Sequence, residues 1–256
     1  MSAARHQSRG GGTSALRLAA HRQGMVPRGF DSTRVWVFDL DNTLYPSACN
    51  LFAEVDQRMG AFIAKLLDVP LEHARYLQKR YYHEYGTTLT GLIKLHKVDP
   101  HAFLEFVHDI DLAPLSSSPD LAAALSALPG RRIIFTNGSR RHAERVAEKL
   151  GVLHLMEDIC DIAALDFVAK PSPDAFKRMV ERHGVSTREA AMFEDMPHNL
   201  EAAHALGMTT VLVHSDYMDH PAQAQMRKWT ALPEHIHHAT DDLTAFLLKL
   251  APPSKT

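Results

Sequence analysis

Val35-Trp36-Val37-Phe38-Asp39-Leu40-Asp41-Asn42-Thr43-Leu44-Tyr45 is the stretch on which the reading of this chain turns. Its first four residues are β-branched or aromatic, the composition of a buried strand. The apolar run then stops at two carboxylates one residue apart. Alternation along an extended chain predicts that Asp39 and Asp41 point to the same side. Two like charges about 4 Å apart, at an effective dielectric of about 20, repel by about 4 kcal/mol. Such a strand end calls for a divalent cation, a lysine, a proton on one carboxylate, or all three.

Downstream of this strand the chain changes character twice. Residues 49–112 read as helices only. Leu51, Phe52, Val55, Met59, Phe62, Ile63 and Leu66 recur at helical spacing from Asn50 to about Leu67. Pro70 opens a second helix that ends near Gly86, Thr88 to His96 is a third, and Asp99-Pro100 caps a fourth. From Pro119 onward strands and helices alternate. The expected strands are Arg132–Thr136, residues near 159–163, Ala190–Phe193 and Thr209–His214; the expected helices are Asp120–Leu128, Ser139–Leu150, one from Ser172-Pro173-Asp174 to Gly184, one from Pro197 to Gly207, and Asp241–Leu250. This pattern predicts an α/β fold, a Rossmann-like parallel sheet core with helices on both faces. The core is expected over residues 32–47 and 115–250, with an all-helical insert over 48–114. Tyr45-Pro46-Ser47 and Pro114 to Pro119 read as its hinges.

Composition bounds the rest. A chain of 256 residues that is 45% hydrophobic and 23% charged can bury a sizeable core. A formal net charge of −2 gives no electrostatic case for a nucleic-acid polymer or an anionic membrane. No apolar run approaches the roughly 18 residues of a membrane span. Cys49 and Cys160 form no CxxC, so idle thiols in a reducing, cytoplasmic setting are expected. The 17 histidines show no HExxH or paired Cys/His spacing and read as surface or packing residues. Residues 1–31 begin Arg-rich and Gly-rich, with no acidic residue before Asp31. A flexible, disordered extension, or a start codon assigned upstream of Met25, is favoured over an organellar transit peptide of similar composition.

Ligands on parallel sheets bind beyond the carboxyl ends of the strands. That rule predicts a convergence of Asp39 and Asp41, Thr136-Asn137-Gly138, Lys170-Pro171 and Glu194-Asp195. Each set alone has an ordinary explanation as a turn, a cap or a solvated charge. Together, and in this order, they form segments DLDNTLY, FTNGS, AKPSPDAF and FEDMPHN, which resemble the four motifs of the haloacid dehalogenase superfamily in its phosphatase form. The resemblance runs from about Val35 to the C-terminus, and the helical insert resembles the cap domain placed after the first motif. More narrowly, YGTTLTGL, FVHDID and IIFTNGSRRHAERV resemble the pyrimidine 5′-nucleotidase subgroup.

The resemblance implies a Mg²⁺-dependent phosphomonoester hydrolase. Asp39 would be the nucleophile that forms an aspartyl-phosphate. Asp39, the backbone carbonyl of Asp41, and Asp195 would hold Mg²⁺, with Glu194 acting through water; hard oxygen ligands suit this ion. Lys170 would neutralise both Asp39 and the phosphate. Thr136 and the amides of Asn137 and Gly138 would bind phosphoryl oxygens. Asp41 would be the general acid and base, kept protonated by the negative charge around it. Asn199 stands where many relatives carry a carboxylate, and can orient Lys170 or a metal-bound water. Tyr45, Tyr85, Arg140 and Arg141 are candidate substrate contacts; Tyr81, Tyr82 and Tyr85 could stack on a base, with packing the more frequent role of tyrosines at helical spacing, and solvation is the ordinary alternative for the two arginines. The implied substrates are UMP and CMP. Pyridoxal phosphate, nicotinamide mononucleotide and sugar phosphates are the alternatives, as is a phosphomutase. A metal-independent dehalogenase is disfavoured by the extra carboxylates. A non-catalytic ligand-binding relative is disfavoured because nucleophile, acid and lysine are all retained. The expected partner is a small phosphomonoester; nothing in the sequence fixes an oligomeric state.

Overall fold

In the computed structural model, which describes residues 28–215, 222 and 226–250, the opening stretch becomes strand β1 (Val35–Phe38), buried at every position. Its alternation divides the core. Trp36 and Phe38 enter one apolar layer, whereas Val35 and Val37 enter the other. Burial on both faces is what makes the strand a continuous apolar run.

Five parallel pairings build a six-stranded sheet in the order β3-β2-β1-β4-β5-β6. The other strands are β2 (Arg131–Phe135), β3 (Asp158–Cys160), β4 (Ala190–Glu194), β5 (Thr209–Val213) and β6 (His238–Thr240). β1 lies inside the sheet between β2 and β4, where the strand order reverses. A crevice at such a switch point is where open α/β sheets bind ligands. Strand β6, half-exposed and only three residues long, was not expected from the sequence.

Four helices occupy the stretch between β1 and β2: α1 (Leu51–Leu67), α2 (Leu71–Tyr85), α3 (Thr88–His96) and α4 (Pro100–Val107). Asp99 caps α4 by accepting from the His101 amide, and Thr87 caps α3 by accepting from the Thr90 amide. Helices α2 and α3 cross closely at Gly91, where a Cβ would lie 2.6 Å from Cβ of Tyr81. Among the described residues five further helices cover the sheet: α5 (Pro119–Ala127), α6 (Arg140–Leu150), α7 (Pro173–His183), α8 (Asn199–Ala205) and α9 (Leu243–Leu250). Helices α5, α6 and α9 pack on the Trp36 layer, and α7 and α8 on the Val37 layer. The Trp36 layer continues without a break through Leu40, Leu44, Tyr45, Val107, Ile110 and Leu112 into the four-helix insert.

The expectation of disorder up to residue 31 fails at its end. Residues 1–27 lie outside the described residues, but Arg28 donates to the carbonyls of Gly207 and Arg188. Phe30 stacks on Trp36 at 5.9 Å and meets Phe246 edge-on. An aromatic residue with that much apolar surface to bury is drawn onto the core. Among the described residues no helix is long and apolar enough to cross a membrane.

Candidate active site

The first carboxylate is set by the sheet. The Asp39 amide donates to the Phe193 carbonyl at 2.9 Å, one more rung on the β1–β4 ladder. The chain then turns, with Leu44 N–H donating to the Leu40 carbonyl and Asn42 in the left-handed region at φ 61°. Asn tolerates that conformation better than most residues. Asp39 and Asp41 both reach the wall of one cavity of roughly 680 Å³, enclosed between the strand ends and the four-helix insert.

Lys170 arrives from the loop before α7 and is buried with its ammonium fully engaged. Nζ donates to Asp39 Oδ1 at 2.6 Å, to Glu194 Oε1 at 2.8 Å and to the Phe135 carbonyl at 2.8 Å. Its backbone is held by a reciprocal clasp: Lys170 N–H donates to Asn137 Oδ1 at 2.8 Å, and Asn137 Nδ2 donates to the Lys170 carbonyl at 3.0 Å. Glu194, at the end of β4, accepts from Lys170 and Asn199 at Oε1 and from the Met196 amide at Oε2. Thr43 Oγ1 donates to Asp39 Oδ2. In the loop after β2, the Gly138 amide donates to Thr136 Oγ1 at 2.9 Å. A Cβ at Gly138 would stand 3.2 Å from Thr136 Oγ1, a tight contact in a loop that lines the cavity.

Three buried carboxylates, those of Asp39, Glu194 and Asp195, present oxygens within 4.8 Å of one another. Burial, and then the charge of Glu194, push Asp39 up to about 7 against the opposing pull of Lys170. Burial and Glu194 likewise raise Asp195 well above the ordinary carboxylate range. Burial also works against ionised Glu194, but Lys170 and the hydrogen bonds it accepts hold it low. Charge is therefore concentrated beyond what one ammonium neutralises.

The comparisons bear on this arrangement. The family profile described as haloacid dehalogenase-like hydrolase matches residues 33–207, which include every one of these side chains. This chain belongs to the haloacid dehalogenase-like hydrolase family. A yeast (Saccharomyces cerevisiae) protein named Phosphate metabolism protein 8 is 30% identical over 204 residues, 73% of this chain and 63% of its own length. The chain thus spans under two thirds of that relative. A phosphoglycolate phosphatase of Rhodospirillum rubrum is 28% identical, covering 72% of this chain and 81% of its own. The crystal structure of a haloacid dehalogenase-type phosphatase from Thermococcus onnurineus aligns over 85% of this chain and 97% of its own, with a TM-score of 0.56 at 17% identity, a likeness of fold.

For this haloacid dehalogenase-like hydrolase the donor set fits a hard divalent cation: it is all oxygen, rich in carboxylate and under-neutralised. A second sign is Asn199 Oδ1, which is buried and accepts no hydrogen bond among the described residues. Asn199 donates its amide to Glu194 rather than to Lys170, so it steadies the lysine's partner and leaves a free acceptor near the cluster.

Several sequence expectations need correction. Asp41 is not held protonated by negative neighbours. Burial works in that direction, but the His142 imidazole and hydrogen bonds from His142 and Tyr45 carry its carboxyl down to about 2. Oδ1 of Asp41 lies 2.6 Å from the Tyr45 hydroxyl, which donates to it, and 2.9 Å from His142 Nε2. Tyr45 is accordingly a buried partner of Asp41 and not part of the cavity wall. Tyr85 packs against Tyr81 at 6.4 Å, and it is Tyr82 that lines the cavity. Arg140 is drawn to the sheet edge by Asp158 at 2.7 Å, and exposed Arg141 lies 3.7 Å from Glu105. Neither arginine lines the cavity. The histidines, read as packing residues, hold the residues the sequence reading missed. His142 and His108 stack face to face at 4.4 Å beside the Gly138 loop.

Proposed function

We propose that this chain is a Mg²⁺-dependent phosphomonoester hydrolase acting through an aspartyl-phosphate, with pyrimidine nucleoside 5′-monophosphates as substrates. The observation that carries the reading is Asp39 Oδ1 at 2.6 Å from Lys170 Nζ, within a buried acid cluster that opens on the cavity. The phosphatase names of relatives support the same reaction class.

In this reading one Asp39 oxygen attacks phosphorus as the bond to the leaving oxygen breaks. The Thr136 hydroxyl and the Asn137 amide bind phosphoryl oxygens, the Gly138 amide joins them only by leaving Thr136 Oγ1, and Lys170, with its three donors taken, contributes its charge. Asp39, Asp195 and the Asp41 carbonyl would hold Mg²⁺, with Glu194 and Asn199 behind them. When bound, that ion supplies the positive charge that lets a carboxylate approach a phosphate dianion. Asp41 gives a proton to the leaving alkoxide, then takes one from the water that attacks the aspartyl-phosphate. In the absence of substrate it is a carboxylate, and the negative charge of an arriving phosphate favours its proton uptake.

The cavity supports a substrate larger than a bare phosphate ester. Roughly 680 Å³ is within the range of pockets for small metabolites. Tyr82, Gln78 and Thr88 face it among Phe52, Met59 and Leu89. Gln78 Nε2 is held by Asp56 and the Thr88 hydroxyl by the Gln78 carbonyl, so the Tyr82 ring and Gln78 Oε1, unpartnered among the described residues, are the features that suit a heterocyclic base.

Phosphate release from UMP, CMP, purine nucleotides, pyridoxal phosphate, nicotinamide mononucleotide and sugar phosphates is the deciding measurement. UMP and CMP should exceed the others in kcat/KM by about tenfold or more, a difference of roughly 1.4 kcal/mol. A sugar phosphate at the top of the panel would reassign the substrate. No release from any ester, including p-nitrophenyl phosphate, would end the hydrolase reading.

Cation binding has its own readout. Mg²⁺ added to chelator-treated protein at 100 times its dissociation constant should stabilise the fold by about 2.7 kcal/mol. That corresponds to a rise in Tm of roughly 5–10 °C. Asp195→Asn should remove most of the shift; an unchanged shift would place the ion elsewhere.

A further inference from the structure

We propose that His142, backed by His108, is a positioning residue that orients the Asp41 carboxylate for proton transfer. The inference rests on the hydrolase reading above and concerns groups that reading leaves unused. The segments FVHDID and IIFTNGSRRHAERV each contribute one buried imidazole, from positions 34 residues apart in the sequence. Neither belongs to the acid cluster.

The geometry is specific. His142 Nε2 and the Tyr45 hydroxyl converge on the same oxygen of Asp41, Oδ1, at 2.9 and 2.6 Å. Two contacts to one oxygen fix the rotation of the carboxylate and leave Oδ2 as the oxygen available to a reacting group. The His142 ring is itself held in place. It is buried, lies parallel to His108 at 4.4 Å with an interplanar angle of 11°, and fits against Gly138. His108 in turn is fixed by Ser139, whose Oγ lies 3.0 Å from its Nδ1. Ser139 also caps helix α6, on which His142 sits, by accepting from the His142 amide.

The leading joint of the helical insert and the end of its last helix meet at this point. Tyr45 is the last residue of the first motif and the first of the leading joint. His108 closes α4 ahead of the returning joint, and Arg145 of α6 donates to the carbonyls of His108 and Ile110, each at 3.0 Å. Asp41 is therefore oriented by groups that belong to the two ends of the insert and to the helix beside them. The 2.9 Å contact to Asp41 is the one hydrogen bond of the buried His142 ring nitrogens among the described residues, so the imidazole and the carboxylate fix each other.

The test compares leaving groups. Esters of p-nitrophenol leave without a proton, whereas a 5′-nucleotide leaves as an alkoxide that needs one. In the full chain with Mg²⁺, His142→Ala should slow alkyl-ester cleavage about 100-fold or more. Its effect on the pre-steady-state burst of p-nitrophenolate should be smaller by at least 30-fold. His142→Gln, which can place an amide donor near the Nε2 position, should recover most of the difference. Tyr45→Phe, nearly isosteric, should show the same selectivity more weakly and covers the case in which His142→Ala does not fold. Inhibition by inorganic phosphate should stay within about threefold in all three. Equal losses on both esters, or no recovery in His142→Gln, would overturn the positioning role while wild-type turnover upholds the hydrolase. An inactive wild type would overturn both.

Discussion

Asp39→Asn is expected to abolish turnover and at the same time to raise the melting temperature of chelator-treated protein above pH 7. Turnover should fall about 10⁴-fold or more, because an amide does not form the acyl phosphate. The stability gain follows from the charge that is removed. Burial and Glu194 hold the Asp39 carboxyl at about 7 against an ordinary 3.8. A group whose pKa is raised in the folded chain supports the fold below its ordinary value. That support is lost as pH rises toward and through 7. Ionised Asp39 therefore costs the fold on the order of a few kcal/mol above pH 7, with Lys170's attraction already included. Asn removes that cost and keeps an acceptor for Lys170. A rise of roughly 5–10 °C in thermal denaturation at pH 8, shrinking toward zero near pH 4, is the expected result. A fall in Tm at pH 8 would mean that Asp39 is held in place at no strain.

Lys170→Met should act in the opposite direction on stability. The ammonium is buried and donates to two carboxylates and to the Phe135 carbonyl. Removing one member of a buried ionic set leaves the others uncompensated, at about 3–5 kcal/mol. Tm should drop by roughly 10 °C, and turnover by about 10³-fold as the phosphoryl oxygens lose their fixed cation. The two substitutions share an ion pair and so are not additive. The Asp39→Asn, Lys170→Met double variant should recover part of the stability that Lys170→Met loses, since one of the stranded carboxylates is gone. Calorimetry on the four proteins measures the coupling directly; a coupling near zero would contradict the 2.6 Å contact.

Much of this was legible before any coordinates. The apolar run Val35–Phe38 reads as a strand because helices cover both faces of the sheet it sits in, and the carboxylates at its end pointed to a ligand crevice once the other three motifs stood beside them. The four insert helices declared themselves by spacing and by caps such as Asp99 and Thr87. Other features had no local signal. Strand β6, His238-Ala239-Thr240, is polar and short, and exists because β5 offers an open edge. Arg140 looked free to reach a substrate, but Asp158 on the neighbouring strand takes it. Three tyrosines within five residues of α2 could not be sorted by period alone, since a rotation of about 100° per residue separates neighbours. His142 is the sharpest case: its partner lies 101 residues away, and among 17 histidines nothing nearby marks it out.

The unbroken apolar layer that runs from Phe38 through Leu40, Leu44 and Tyr45 to Val107, Ile110 and Leu112 has a practical corollary for protein engineering. The four helices between β1 and β2 join the sheet through this continuous apolar packing, with the Arg145 and Ser139 hydrogen bonds beside it. A chimera that exchanged only the helices, cutting at Leu51 and Val107, would sever that packing and mismatch its halves. The natural seam for exchanging the helices lies outside it, before Leu40 and after Leu115, so that a donor segment brings its own apolar roots together with Asp41 and Tyr45, while His142 stays with the core.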